Sequence, residues 1–216
     1  MLLILTQDGF IPFMLVGLIV IFSICVHELS HGLAALQQGD QTPIRTGHMT
    51  LNPLKHMGWE ATIFLIIAGI TWGSMPVNPS RFRSAKWGEV IVSAAGPLSN
   101  LTLGLLSIAL IRWLLASSTE GTVGAALIVS KLILLLLALI NLKLFVVNML
   151  PIPPLDGHVV FSKFFPELEP LKDSPFGLAA LMILFLSPFG EGLDMVVSWF
   201  IAHATGIPLN NLISMQ

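Results

Sequence analysis

The sequence predicts an all-α polytopic membrane protein of about four to six transmembrane helices. Three observations carry that prediction. Of the 216 residues, 55% are hydrophobic and only 10% are charged. Soluble chains average about 25% charged residues, so this one has too few to cover a water-facing surface. The mean hydropathy is +0.87. The apolar residues are also gathered into long uncharged runs, which suits helices that satisfy their own backbone in lipid. Ten Lys and Arg against 12 Asp and Glu leave a formal charge of −2, which excludes a basic nucleic-acid binder. One cysteine, Cys25, excludes an internal disulfide and any metal site built wholly from cysteine. Tyr is absent, so a general acid must be His, Asp, Glu or Lys.

The first uncharged run, residues 9–26, continues as helix through His27 to about Gln37. It follows Asp8 rather than a basic segment, and is expected to be a retained span rather than a cleaved signal peptide. The second run covers residues 90–111, and the third, residues 122–150, is broken only by Lys131 and Lys143. Residues 174–190 and 195–216 are uncharged and separated by Glu191 and Asp194. Pro188, Gly190 and Gly192 mark a break there, which reads equally as one broken span or two. Between the first two spans, residues 61–72 are apolar but short, and stretches of about 10 to 14 are more often re-entrant or interfacial than spanning. With that run re-entrant, Arg45, Lys55, Arg81, Arg83, Lys86, Lys163 and Lys172 share one side, leaving Arg112 near the opposite face. The positive-inside tendency makes the basic side cytoplasmic. Residues 1–216 then form a single membrane-embedded domain, with a core over about 10–160 and a C-terminal helical segment over about 174–206.

The first span carries His27-Glu28-Leu29-Ser30-His31. On a helix, positions i and i+4 lie on one face about 40° apart, so both imidazoles can reach one ion. Glu28 sits beside that face, placed to take a proton from a water. Ionisable groups inside a span are costly, about 2.5–3.5 kcal/mol for a charged group at the centre. Pairing across a helix interface is the competing reading. A catalytic zinc site commonly takes three protein ligands. The best third candidate is Asp156, in Asn148-Met149-Leu150-Pro151-Ile152-Pro153-Pro154-Leu155-Asp156-Gly157. Prolines so closely spaced cannot continue a helix, and irregular backbone at membrane depth is tolerated only inside protein or beside a water-filled cavity. The topology brings all three ligands to the cytoplasmic side at one depth. Taken alone, Asp156-Gly157 would read as a plain turn.

Asn148 reads equally as an interhelical hydrogen-bonding residue or as a group that steadies a developing oxyanion. His158 is a possible substitute ligand, with an interfacial position the better reading. His48, His56 and His203 lack paired spacing and read as loop or interface histidines, and Cys25 as packing. Gly96-Pro97-Leu98-Ser99-Asn100 reads as close helix packing, with Asn100 bonding across the interface and no part in catalysis.

The pairing of His27-Glu28-Leu29-Ser30-His31 with the segment from Asn148 through Gly157 resembles the site-2 protease family of intramembrane zinc metalloproteases. Thr50-Leu51-Asn52-Pro53-Leu54-Lys55-His56, Pro76-Val77-Asn78-Pro79 and Ala95-Gly96-Pro97-Leu98-Ser99-Asn100 match in family order. The likeness covers residues 26–158. It implies one Zn²⁺ per chain held by His27, His31 and Asp156, with Glu28 as general base and Asn148 binding substrate or stabilising the transition state. It also implies a three-helix catalytic core, a small β-hairpin or re-entrant segment within residues 42–78, and the compact form without a PDZ or CBS domain. The expected activity is hydrolysis of a peptide bond in or near a transmembrane segment of a membrane-protein substrate, with the lipid bilayer as setting and a prokaryotic plasma membrane as the location.

Rival readings differ in their requirements. A zinc transporter would favour further ligands along a path and internal repeats, and neither is visible. A di-iron hydroxylase needs several His-rich boxes, and six His with one productive pair are too few. A zinc-binding membrane scaffold without proteolytic activity is separated from a protease only by comparing Glu28→Gln with wild type.

Overall fold

The computed structural model of the chain describes residues 10–68, 71–117, 124–172, 174 and 176–208. Helix α1 is Phe10–Gln37. Three short helices follow, α2 Thr42–Arg45, α3 Pro53–His56 and α4 Gly58–Ala68. A 3-10 turn at Pro79–Arg81 leads to α5, Gly88–Ser117, and then to α6, Ala125–Asn148. Then come α7 Asp156–Ser162, a 3-10 segment Pro166–Leu171, α8 Phe176–Leu186 and α9 Phe189–Thr205.

Among the described residues, three helices are long and apolar enough to cross a membrane, over Pro12–Gln37, Gly88–Ser117 and Ala125–Asn148. At 24 to 30 residues each, they exceed the roughly 20 that a bilayer core demands. Helix α4 has 11 residues and reaches about 16 Å, half of the hydrocarbon thickness. The C-terminal break is real: helix stops at Leu186 and restarts at Phe189, giving lengths of 11 and 17 residues. Leu18, Phe22, Leu105, Leu106, Trp113, Ile128 and Val129 are exposed on the long helices. Such contiguous apolar surface suits lipid as the surrounding solvent.

The expected β-hairpin is not formed, and the described residues contain no strand. Local chemistry explains the difference. Pro43 and Pro53 stand in the first turns of α2 and α3, and Asn52 caps α3 by accepting from the Leu54 N–H at 3.0 Å. Proline pre-sets helical φ and donates nothing to a sheet ladder, so these positions start helical turns instead. Residues 71–78 run without helix, tied down by Ser74 N–H donating to the His56 carbonyl at 2.9 Å. Asp40, fully buried, fastens the other end: its carboxylate accepts from the Asn78 N–H at 2.6 Å and from the Thr42 N–H and hydroxyl.

Helix α5 is the middle of a three-helix core, packing along α6 and α1 more extensively than those two meet each other. Ile108 and Ile111 of α5 bury against Leu135, Ala138, Leu139 and Leu142 of α6, with Val197 and Ile201 of α9 closing the cluster. Val16 and Ile19 of α1 pack on Ile140, while Ile24 packs on Met57, Ala61 and Leu65 and seats α4 against α1. Lys143 pairs with Asp194, and the Arg112 guanidinium donates to the Ala204 carbonyl at 3.1 Å, fastening α9 to the core. The C-terminal half of α1, the N-terminal half of α5 and the end of α6 meet at one level, and the chemistry-bearing residues are there.

Candidate metal centre

Two turns before its C-terminus, α1 turns His27 and His31 toward α5. The rings stand edge to face with centroids 4.6 Å apart, and their Nε2 atoms are separated by 3.0 Å. Asp156, the first residue of α7, brings Oδ2 to 3.1 Å from His27 Nε2 and 3.4 Å from His31 Nε2. The three side chains each offer one ligand atom, all within 4.8 Å of one another. All three are largely withdrawn from solvent, the histidines at 7% and 8% exposure. Helix α6 ends at Asn148, the Pro151–Pro154 segment keeps it from resuming, and the chain turns back so that α7 begins at Asp156 beside the end of α6.

The donor set fits a cation. His27 Nδ1 donates to Asn100 Oδ1 at 2.6 Å, and His31 Nδ1 donates to the Val92 carbonyl at 2.7 Å. Each partner is an acceptor, so a neutral imidazole keeps its proton on Nδ1 and directs the Nε2 lone pair inward. Two lone pairs and a carboxylate oxygen then converge with no hydrogen to share, an arrangement a divalent ion relieves. Gly96 leaves the space for it. A Cβ on that residue would fall 2.5 Å from His27 Nε2 and closer still to His31 Nε2. Nitrogen, nitrogen and carboxylate oxygen form a set that Zn²⁺ accepts.

Glu28 is 6% exposed and has no hydrogen-bond partner among the described residues. The helix-free segment 71–78 passes directly over it at Gly73, where a Cβ would lie 2.5 Å from Glu28 Oε1. Any side chain there would displace the carboxylate.

Other expected residues are placed differently. Asn148 ends α6 and its amide donates to the Leu144 carbonyl in its own helix at 2.9 Å, so it is not joined to the cluster of His27, His31 and Asp156. His158 is buried, and bonds the Leu168 carbonyl at 2.9 Å through Nε2, away from the cluster. His56 is also buried, with Nε2 donating to the Thr50 carbonyl at 2.6 Å. His48 bonds Thr46, and His203 stacks on Trp199. Cys25 is buried in packing as expected. Asn100 was legible as an interhelical hydrogen-bonding residue, but its contact with His27 was not. Asp40, a loop residue, gave no signal beyond a carboxylate near the end of a span.

Comparison with known proteins adds an independent line. The chain is 33% identical over 184 residues to "Putative zinc metalloprotease YwhC" of Bacillus subtilis, covering 83% of both chains. It is 29% identical over 195 residues to "Putative zinc metalloprotease Rip2" of Mycobacterium tuberculosis, covering 86% of this chain and 71% of the relative. The Rip2 of Mycolicibacterium smegmatis is likewise 29% identical, over 193 residues. No family model matches the chain. No solved structure matches it either.

Proposed function

Since the chain belongs to the site-2 protease family of zinc metalloproteases, we propose that it is an intramembrane endopeptidase hydrolysing a peptide bond in or near a transmembrane segment of another membrane protein. One observation carries the reading. His27, His31 and Asp156 converge around a gap beside Gly96, between helices long enough to span a bilayer. His27, His31 and Asp156 hold the zinc. When bound, zinc supplies Lewis-acid polarisation of the scissile carbonyl and of the attacking water.

The remaining work falls to the chain's own groups. Glu28 accepts the proton of the attacking water as the oxygen–carbon bond forms, and returns it to the amine nitrogen as the carbon–nitrogen bond breaks. Its burial beneath residue 73 keeps the carboxylate against the site. Substrate must arrive extended, because a helical peptide bond is shielded by its own turn. Residues 71–78 offer helix-free backbone over Glu28, held by the Ser74 N–H on the His56 carbonyl and the Asn78 N–H on the Asp40 carboxylate, and an unwound substrate can pair along it. Asn148 meets substrate when its amide leaves the Leu144 carbonyl and turns to the developing oxyanion. The basic residues Arg45, Lys55, Arg81, Arg83, Lys86, Lys163 and Lys172 support a cytoplasmic orientation for this end of the core in a prokaryotic plasma membrane.

The test is Glu28→Gln against wild type. Membranes from cells expressing each form are compared for new peptide N-termini within transmembrane segments, alongside the zinc content of the purified proteins. The variant should keep its zinc and lose cleavage by about 10²–10⁴-fold, the usual weight of a general base. Cleavage at the wild-type rate would remove Glu28 from the mechanism, and identical peptides without either form would leave a zinc-binding scaffold.

A further inference from the structure

We propose that Asn100 is a positioning residue for the metal centre, holding the His27 proton on Nδ1 and so aiming the Nε2 lone pair at the ion. The inference rests on the reading of His27, His31 and Asp156 as zinc ligands. Asn100 is 0% exposed and its Oδ1 lies 2.6 Å from His27 Nδ1. The direction of its amide is fixed by a second buried amide. Asn100 Nδ2 donates to Asn141 Oδ1 at 2.9 Å and lies 3.4 Å from the Ser23 carbonyl. Asn141 Nδ2 in turn donates to the Ser23 hydroxyl and the Leu137 carbonyl, both at 2.9 Å.

Every other orientation of this relay is worse. Turning Asn100 over would set its oxygen against Asn141 Oδ1, two acceptors facing each other in a dry interior, and would offer His27 Nδ1 a donor. Turning Asn141 over as well would lose its bond to the Leu137 carbonyl. The relay therefore has a direction, and it ends on His27. Helix packing alone accounts for Asn100 meeting Asn141, but not for an acceptor held at 2.6 Å from the one ring nitrogen whose protonation decides what the opposite nitrogen can bind. His31 receives the same service from the Val92 carbonyl, which no side-chain substitution removes. Asn100 is thus the point at which the orientation of a ligand can be altered without touching a ligand.

The experiment measures zinc affinity of the purified full chain in detergent, by competition with a chromophoric chelator. Wild type is compared with Asn100→Leu, Asn100→Ser and Asn100→Asp. The Co²⁺-loaded proteins are compared by visible absorption, and the zinc-free proteins by thermal unfolding. Leu offers no acceptor and Ser is too short to reach, so both should bind zinc about 10–100-fold more weakly, the usual effect of losing the partner of a ligating histidine. Asp restores an acceptor and should recover most of that loss and the wild-type Co²⁺ spectrum. A residue that only packs helices would lower the unfolding temperature of every zinc-free variant while leaving affinity unchanged. Wild-type affinity in Asn100→Ser, or equal weakening in the Ser and Asp variants, overturns the proposal, and the Ser and Asp pair decides if Asn100→Leu does not fold. Failure of wild type to bind zinc would instead overturn the reading of the three ligands, and this inference with it.

Discussion

Gly96→Ala should abolish tight zinc binding while leaving the helix intact. The added Cβ would stand 2.5 Å from His27 Nε2 and nearer still to His31 Nε2. Non-bonded heavy atoms settle at about 3.5 Å, so each imidazole must withdraw by about 1 Å. Metal–ligand distances tolerate only about ±0.2 Å, so the displacement is several times what the site can absorb. Two of three ligands are affected together. The expected loss is at least about 10²-fold in affinity, or about 2.7 kcal/mol. The same substitution raises helix propensity by about 0.5–1 kcal/mol, so the zinc-free protein should not lose its α5 helix. Zinc per chain and chelator competition measure the first effect, and helical circular dichroism of the zinc-free protein in detergent measures the second. One zinc per chain at wild-type affinity in Gly96→Ala would refute the placement of the ion between α1 and α5.

Asp156→Ala should remove the carboxylate that meets both Nε2 atoms, lowering zinc content well below one per chain; unchanged tight binding would eliminate it as a ligand. Asp40 lies outside the spans, and although burial alone would raise its pKa, hydrogen bonds from Thr42 and Asn78 and the nearby Arg81 guanidinium hold its carboxyl below the usual value. Its contribution to stability is therefore complete above the ordinary carboxylate pKa of about 3.9 and lost as pH falls from there through the lowered folded value. Asp40→Asn should cost about 1–3 kcal/mol at neutral pH, because one amide oxygen cannot serve both Thr42 and Asn78. The difference from wild type should shrink below about pH 4 in denaturant titrations, and a difference that grows on acidification would reverse the assignment. Lys143→Met should leave the partly buried Asp194 carboxylate unpaired against α6 and destabilise the protein by about 1–3 kcal/mol, with recovery when Asp194→Leu is added. Additive losses in that double-mutant cycle would show that the two charges do not interact.

The part of this site written in local spacing was readable from the sequence. His27 and His31 share a helix face by periodicity alone, and the proline-rich break before Asp156 announces that a helix ends at membrane depth. Span length is equally local, so α1, α5 and α6 were foreseeable, as was the shortness of α4. The misread features depend on atoms brought together by the fold. A β-hairpin was expected within residues 42–78, yet Asn52 and the two prolines commit the chain to helical turns within a few residues, and no distant strand competes. Gly96 read as packing because a glycine in a span permits any close approach. Only the fold reveals that the approaching atoms are two imidazole nitrogens. Asn100 read as interhelical glue, and it carries no local sign that His27 and Asn141 are the residues it bonds. Asp40 holds Asn78, 38 positions away, a separation beyond any window of pattern.

The buried polar groups also dictate the order in which the site can become competent. A His-Glu-x-x-His span entering lipid alone would expose His27, Glu28, His31 and Ser23 to an environment that offers them nothing. Helix α5 supplies the Val92 carbonyl and the Asn100 oxygen, and α6 supplies Asn141, which both orients Asn100 and engages Ser23. No pair of spans satisfies the set. Without α6, the Asn100 amide is free to rotate and His27 loses its defined tautomer. Without α5, neither ligating imidazole has its acceptor, and Gly96 is not there to leave the gap. Asp156 cannot arrive until α6 has ended. Metal affinity is therefore a property of the assembled three-helix core, and the protein should bind zinc weakly until the last span is in place.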